Sequence, residues 1–275
     1  MLPLVLTLLL AGTLAGTTTV STVHHPTHVV NVRAMDFSFA APATVRPGVT
    51  TFRFTNAGKE LHHLSLIRLP AGKTLDDFNS AMKAEGHPPM WAVPVGGPNA
   101  AIPGATSEAT LDLAPGNYVM ACFIPSPGSP MPHMMKGMTR SLTVKGARER
   151  GVMPAGDVDV RMSDFAFTMS KPMTAGRHTV RVTNDAQQPH ELVIVRLTEG
   201  KTIGDVGTWE ENGMVGPPPA MPMGGMGPLA KGASGTFDVR LTPGTYGVIC
   251  FMPDVNDGKP HFKHGMVQQF DISLK

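Results

Sequence analysis

Laid on itself with a shift of 128 residues, the 275-residue sequence matches its own second half without a gap. Asp36-Phe37-x-Phe39 falls on Asp164-Phe165-x-Phe167, Thr55-Asn56 on Thr183-Asn184, and Arg68-Leu69 on Arg196-Leu197. Pro94-x-Gly96-Gly97 falls on Pro222-x-Gly224-Gly225, and Pro115-Gly116-x-Tyr118 on Pro243-Gly244-x-Tyr246. Such self-similarity limits the fold to a unit of about 115 residues that is made twice. The halves read as duplicated domains, 29–145 and 157–275, joined by a linker, 146–156, rich in Gly and charge.

Within each half the apolar residues recur with period two, the mark of half-buried strands. Phe52-Arg53-Phe54 and Val180-Arg181-Val182 show it, as do Leu111-Asp112-Leu113, Phe237-Asp238-Val239 and Tyr118-x-Met120-x-Cys122. Turn signals such as Arg46-Pro47-Gly48, Ala114-Pro115-Gly116 and Thr242-Pro243-Gly244 punctuate the strands. The 30 Gly and 26 Pro favour many short elements over long helices. Only Thr74 to Glu85, and its counterpart after Thr202, read as helical. The fold expected is all-β, one β-sandwich per half.

Residues 1–23 begin with an uncharged apolar run (MLPLVLTLLLAGTLAG) and read as an export signal, followed by a His-rich leader at 24–28. The apolar run is short for a bilayer span, and no other stretch is long enough for one. A periplasmic or secreted protein is expected, with no membrane span in the mature chain. Lys plus Arg (23) against Asp plus Glu (21) leaves no field for gripping nucleic acid or an anionic membrane.

Four residue types that bind soft metals recur at the same shift: His62 with His190, Cys122 with Cys250, His133 with His261, and Met138 with Met266. Both halves therefore carry His, Cys, His and Met in one spacing. A thiolate and two imidazoles with a weak thioether donor suit copper cycling between Cu(I) and Cu(II), and such a centre passes single electrons. Nineteen Met and eleven His beside two Tyr and two Trp fit the same chemistry.

The combination Thr-Asn-x5-His, Pro-Gly-x-Tyr-x3-Cys and Pro-His-x3-Gly-Met resembles the cupredoxin, or blue (type 1) copper, family across nearly all of both halves. The resemblance implies two tandem Greek-key β-sandwiches, each with one type 1 copper. Its ligands would be His62, Cys122, His133 and Met138 in the first half and His190, Cys250, His261 and Met266 in the second. It also implies a redox partner protein docking near His133 and His261, where Met134, Met135 and Phe262 give an apolar rim. The ten residues between Cys and His are more than in plastocyanin-like members and nearer to two-domain copper nitrite reductases. The residue after the first His is His63 in one half and Glu191 in the other, and His264 offers a nitrogen alternative to Met266.

Multicopper enzymes of this family wire the blue site to a second copper through a His beside the Cys. Here Ala121 and Phe123 flank one Cys, Ile249 and Phe251 the other, and no His-x-His pair serves a trinuclear cluster. The reading is thus a non-enzymatic, exported, two-domain type 1 copper protein that carries electrons. A copper-buffering protein and a metal-free interaction module with Cys122 and Cys250 as small buried residues are the alternatives. Met221, Met223 and Met226 read as apolar packing rather than a Cu(I)-collecting loop, and His24, His25 and His28 as an incidental cluster. Arg68 and Arg196 are expected to be solvated or paired with Glu, and His87 and His178 to lie at the surface.

Overall fold

The structure is a computed structural model that describes residues 28–273. The export signal and His24 and His25 of the leader lie outside the described residues. The first half contributes β1 (His28–Met35), β2 (Ser38–Ala40), β3 (Thr44–Val45), β4 (Gly48–Asn56), β5 (Ser65–Leu69), α1 (Leu75–Glu85), β6 (Val93–Gly96), β7 (Thr106–Leu113), β8 (Gly116–Ala121) and β9 (Thr139–Val144). The second contributes β10 (Val158–Ser163), β11 (Ala166–Met169), β12 (Gly176–Asn184), β13 (His190–Leu197), α2 (Ile203–Glu211), β14 (Ala220–Leu229), β15 (Ser234–Leu241), β16 (Gly244–Ile249) and β17 (Val267–Ile272). The architecture is all-β, as the alternating pattern predicts.

Alternation does the sorting. In β4, Phe52 and Phe54 are fully buried while Arg53 between them faces out and pairs with Glu108 of β7. Burial of each such aromatic ring is worth about 1.5–3 kcal/mol. The two short helices form where the sequence indicates. Thr74 and Thr202 cap them through the amides of Asp77 and Asp205, whose carboxylates return the bond to the cap amides.

The halves do not hang from a linker as two separate bodies. Strand β6 pairs antiparallel with β14, and β7 with β15, so two long sheets run through the whole chain. One has the order β11-β10-β12-β15-β7-β4-β1-β2, the other β17-β16-β13-β14-β6-β5-β8-β9-β3. Each half offers the same pair of strands to its mate, the geometry of an isologous dimer made within one polypeptide. One core cluster holds Phe54, Leu111 and Met120 of the first half with Val182, Phe237 and Tyr246 of the second. Met226 and Leu229 are fully buried there, whereas Met221 is exposed, so apolar packing accounts for Met226. Segment 146–156 starts along the first half, with Arg148 on Asp112 and Glu149 on Arg46, and ends against the second, where the Pro154 carbonyl accepts from Arg181.

Local motifs that matched across the repeat find their causes here. The hydroxyls of Tyr118 and Tyr246 donate to the carbonyls of Ala114 and Thr242 at 2.7 and 3.0 Å, closing the Pro-Gly-x-Tyr corner. Gly97 and Gly225 have φ of +142° and +139°, and a Cβ there would meet the carbonyl oxygens of Leu64 and Leu192 near 2 Å.

One expectation needs correction. His178 is buried, with its Nδ1 2.7 Å from Asp157 and its Nε2 2.8 Å from the Thr174 carbonyl; two nearby acceptors make the interior a good place for this ring. Arg68 is solvent-exposed, as expected, and both it and the half-buried Arg196 reach the carbonyls of Pro115 and Pro243, because each lies across from the turn that precedes β8 or β16. His87 is exposed, as expected.

Candidate metal centre

The chain passes each centre three times. His62 lies just before β5, held by backbone bonds with Ala101, and His190 opens β13. Cys122 and Cys250 follow the last residues of β8 and β16. A loop then returns through the single turns His133–Lys136 and His261–His264. Gly137 and Gly265, at φ of +103° and +100°, reverse the chain after these turns, a conformation side chains rarely adopt. Met138 and Met266 come next, tied to the Cys backbone: their carbonyls accept the Cys122 and Cys250 amides at 3.3 and 3.2 Å. Both quartets are wholly buried.

In the first centre the Nδ1 atoms of His62 and His133 stand 3.0 Å apart, and the Cys122 Sγ is 3.9 and 3.5 Å from them. In the second, His190 and His261 Nδ1 are 2.8 Å apart, and Cys250 Sγ is 3.4 Å from His261. A trigonal ion with nitrogens at about 2.0 Å and sulfur at about 2.3 Å would separate its donors by roughly 3.5–3.8 Å. The donors are therefore already close to the spacing an ion needs. Their soft and borderline character fits copper.

The far nitrogens explain why the near ones matter. His62 Nε2 lies 3.0 Å from Asp36 and His133 Nε2 2.9 Å from Glu60, while His190 Nε2 lies 3.1 Å from Asp164 and His261 Nε2 3.2 Å from the Gln188 oxygen. All four partners are acceptors, so each Nε2 carries the proton and donates it. Each Nδ1 of a neutral ring then aims a lone pair at the centre. Two such lone pairs facing each other at 3 Å repel unless a cation lies between them. A shared proton is the poorer occupant: burial pushes the His133 and His190 rings below the ordinary imidazole value, and burial together with His190 pushes His261 down to about 4. Burial would raise the Asp36 and Glu60 carboxyls. The bonds from His62 and backbone amides to the one, and from Ser126 and His133 to the other, outweigh it and hold both below the usual range.

These acceptors are functional residues that the reading of the sequence did not assign, although Asp36 and Asp164 stood in a matching motif. The motif turns on Phe37 and Phe165, whose φ of +66° and +64° is strained for an aromatic residue. That turn sets the Asp on the first His and the Phe ring against the second, with centroids 5.1 and 5.3 Å from His133 and His261. The Thr-Asn match has a similar cause. Buried Asn56 donates to the Glu60 and Ala101 carbonyls and Asn184 to those of Gln188 and Leu229, which fixes the loop carrying the acceptor.

The differing residues after the first His do one job. His63 Nε2 accepts the Phe123 amide at 2.9 Å, and Glu191 Oε1 accepts the Phe251 amide at 3.2 Å. Burial drives His63 down to about 3 and Glu191 up to about 7. Burial likewise raises both thiols, Cys122 to about 12, so without a metal they are protonated. Both cysteines are free, with no disulfide between them.

His264 does not join the second quartet; its Nε2 pairs with Asp257 at 3.2 Å on the outer side of the loop. The rim around the second His is also less apolar than expected. His133 and His261 have no exposed surface, and Met134 is buried in the core under α1 beside Phe78 and Met82. Glu60 and Lys136 lie over His133 instead, the Lys136 ammonium 4.8 Å from the Phe37 ring. Met134 faces inward, into the apolar cluster formed by Ile67 and Leu69 of β5 with Phe78 and Met82 of α1.

Paired β-sandwiches, each with a buried His, Cys and His cluster where β8 or β16 ends and a buried Met tied to the Cys backbone, make the chain cupredoxin-like in fold. No family model and no curated protein matches the chain. Among solved structures it is similar to auracyanin B, with 24% identity over 44% of this chain and 91% of that one and a TM-score of 0.31. Auracyanin A, a "blue" copper protein from the green thermophilic photosynthetic bacterium Chloroflexus aurantiacus, is 19% identical over 44% and 100%, with a TM-score of 0.31. A copper nitrite reductase from Nitrosomonas europaea is 13% identical over 90% and 94%, with a TM-score of 0.27. Among the described residues no helix is long and apolar enough to cross a membrane.

Proposed function

We propose that this protein is an exported, non-enzymatic carrier of single electrons with a type 1 copper centre in each half. His62, Cys122, His133 and Met138 hold one ion, and His190, Cys250, His261 and Met266 the other. The observation that carries the reading is the pair of imidazole nitrogens 3.0 and 2.8 Å apart in the two centres, with both far nitrogens on acceptors and a thiol beside them. Copper supplies one-electron exchange when bound. The chain supplies buried donors and keeps water out.

Docking of a redox partner near His133 and His261 belongs to the same proposal. The exposed Met131 and Val255 stand in the loops that carry those rings. Export rests on the apolar segment at 1–23, and carriage rather than catalysis on the absence of His beside either Cys.

The test is to add Cu(II) to the purified mature protein. An intense blue charge-transfer band, lost when Cys122→Ser and Cys250→Ser are combined, is the expected result. Tight uptake of colourless Cu(I) with no blue form would favour copper buffering, and no uptake of either ion would favour an interaction module.

A further inference from the structure

Between the two centres lies a polar connection that electron carriage by either centre alone does not require. Phe123, next to Cys122, gives its amide to His63 Nε2 at 2.9 Å. That nitrogen is therefore unprotonated, and the ring also meets the Asn99 side chain. Asn99 Nδ2 donates across the boundary between the halves to Glu191 Oε2 at 3.0 Å. The other Glu191 oxygen accepts the amide of Phe251, next to Cys250, at 3.2 Å. The Glu191 amide itself points at Cys250 Sγ, 3.4 Å away.

Every member is buried: His63 is 6%, Asn99 1% and Glu191 5% exposed. Hydrogen bonds in such a medium are strong and polarise one another. Asn99 has no slack, since it also donates to the Met226 carbonyl at 3.2 Å and accepts the Ala100 amide at 2.7 Å. The position 128 residues on is Gly227, which has no side chain. One amide thus serves both halves of an otherwise two-fold arrangement. An apolar residue would fill that seam without the penalty of burying three polar groups.

We propose that Asn99 is a positioning residue shared by the two centres, so that filling one centre with Cu(I) alters the other. This rests on the copper reading above. Drawing a Cys onto an ion shifts the peptide that follows it. The shift passes through His63, Asn99 and Glu191 to the opposite Cys-Phe peptide, or in reverse.

The experiment uses Cys250→Ser, in which only the first centre can fill, and follows amide resonances during titration with Cu(I). The expected result is that the Phe123 amide and, across the seam, the Phe251 and Glu191 amides all move. In Cys250→Ser combined with Asn99→Leu, Phe123 still moves and the other two stay still. Competition with a chromophoric Cu(I) chelator should also show the two affinities of the wild type interacting by at least about fivefold, and the interaction lost in Asn99→Leu. A purely structural Asn99 would lower the melting temperature and both affinities yet leave their interaction intact, which overturns the proposal. Asn99→Ser, smaller and polar, stands in if the Leu variant does not fold. If Cys122→Ser and Cys250→Ser each bind one Cu(I) but Phe251 never responds, the coupling is refuted and the copper reading stands. If neither binds Cu(I), both fall.

Discussion

Glu191 offers the sharpest quantitative test of how the interior is built. Its carboxyl is wholly enclosed, and burial lifts its pKa from 4.5 to about 7 despite the bonds from Asn99 and the Phe251 amide. The folded value lies above the unfolded one, so the folded protein binds the extra proton. The stability this group contributes is whole below about pH 4.5 and is lost as pH rises through about 7. A shift of about 2.5 units corresponds to at most about 3 kcal/mol. The perturbation is Glu191→Gln, which removes the titration and keeps the shape. The assay is guanidinium unfolding of the metal-free protein at pH 5 and pH 8. Wild type should lose up to about 3 kcal/mol more than the variant over that interval. Comparing the two proteins cancels every other titrating group, including His63, whose depressed value acts in the opposite sense below about 6.5. An equal pH dependence in both would refute the raised pKa of this buried carboxyl.

Three more outcomes follow from the geometry. Asp36→Leu leaves His62 Nε2 without its acceptor, frees the ring to take the other tautomer, and should weaken Cu(I) binding at the first centre about 10- to 100-fold by chelator competition. Because burial keeps both thiols protonated, filling each centre should release about one proton, read with a pH indicator in weak buffer, and affinity should rise about tenfold per pH unit near neutrality. Thr74→Ala removes the cap at Asp77 and should cost about 1 kcal/mol of folding stability without altering Cu(I) binding, since α1 supports the centre only through the core.

Much of this was legible in the sequence because both halves of the chain carry it. Alternation in Phe52-Arg53-Phe54 marks a strand whatever its neighbours, and the stretches after Thr74 and Thr202 read as helical. The quartets are visible because the types are rare and their spacing recurs. The acceptors on the far nitrogens were not, for two reasons. Asp36 lies 26 residues from His62, joined to it only by the fold. In place of Glu60 the second half has Gln188, and a carboxylate and an amide share no obvious signature although each offers the same oxygen to an imidazole. His63 and Glu191 hid their common task in the same way, since one accepts through nitrogen and the other through oxygen. His178 was misjudged because its burial depends on Asp157 and the Thr174 carbonyl, which a sequence does not display as partners. The seam between the halves was invisible for a further reason: pairing β6 with β14 and β7 with β15 is a matter of edges, and no residue type signals which edge stays open.

That seam governs how the molecule comes apart. Hydrogen-bonded ladders cross it in both layers and a common apolar interior lies beneath, so neither copy can detach with its own structure intact. Heat or denaturant should therefore meet a single all-or-none event rather than two successive meltings. Damage in one copy, a cavity at Phe54 for instance, would lower the stability of both.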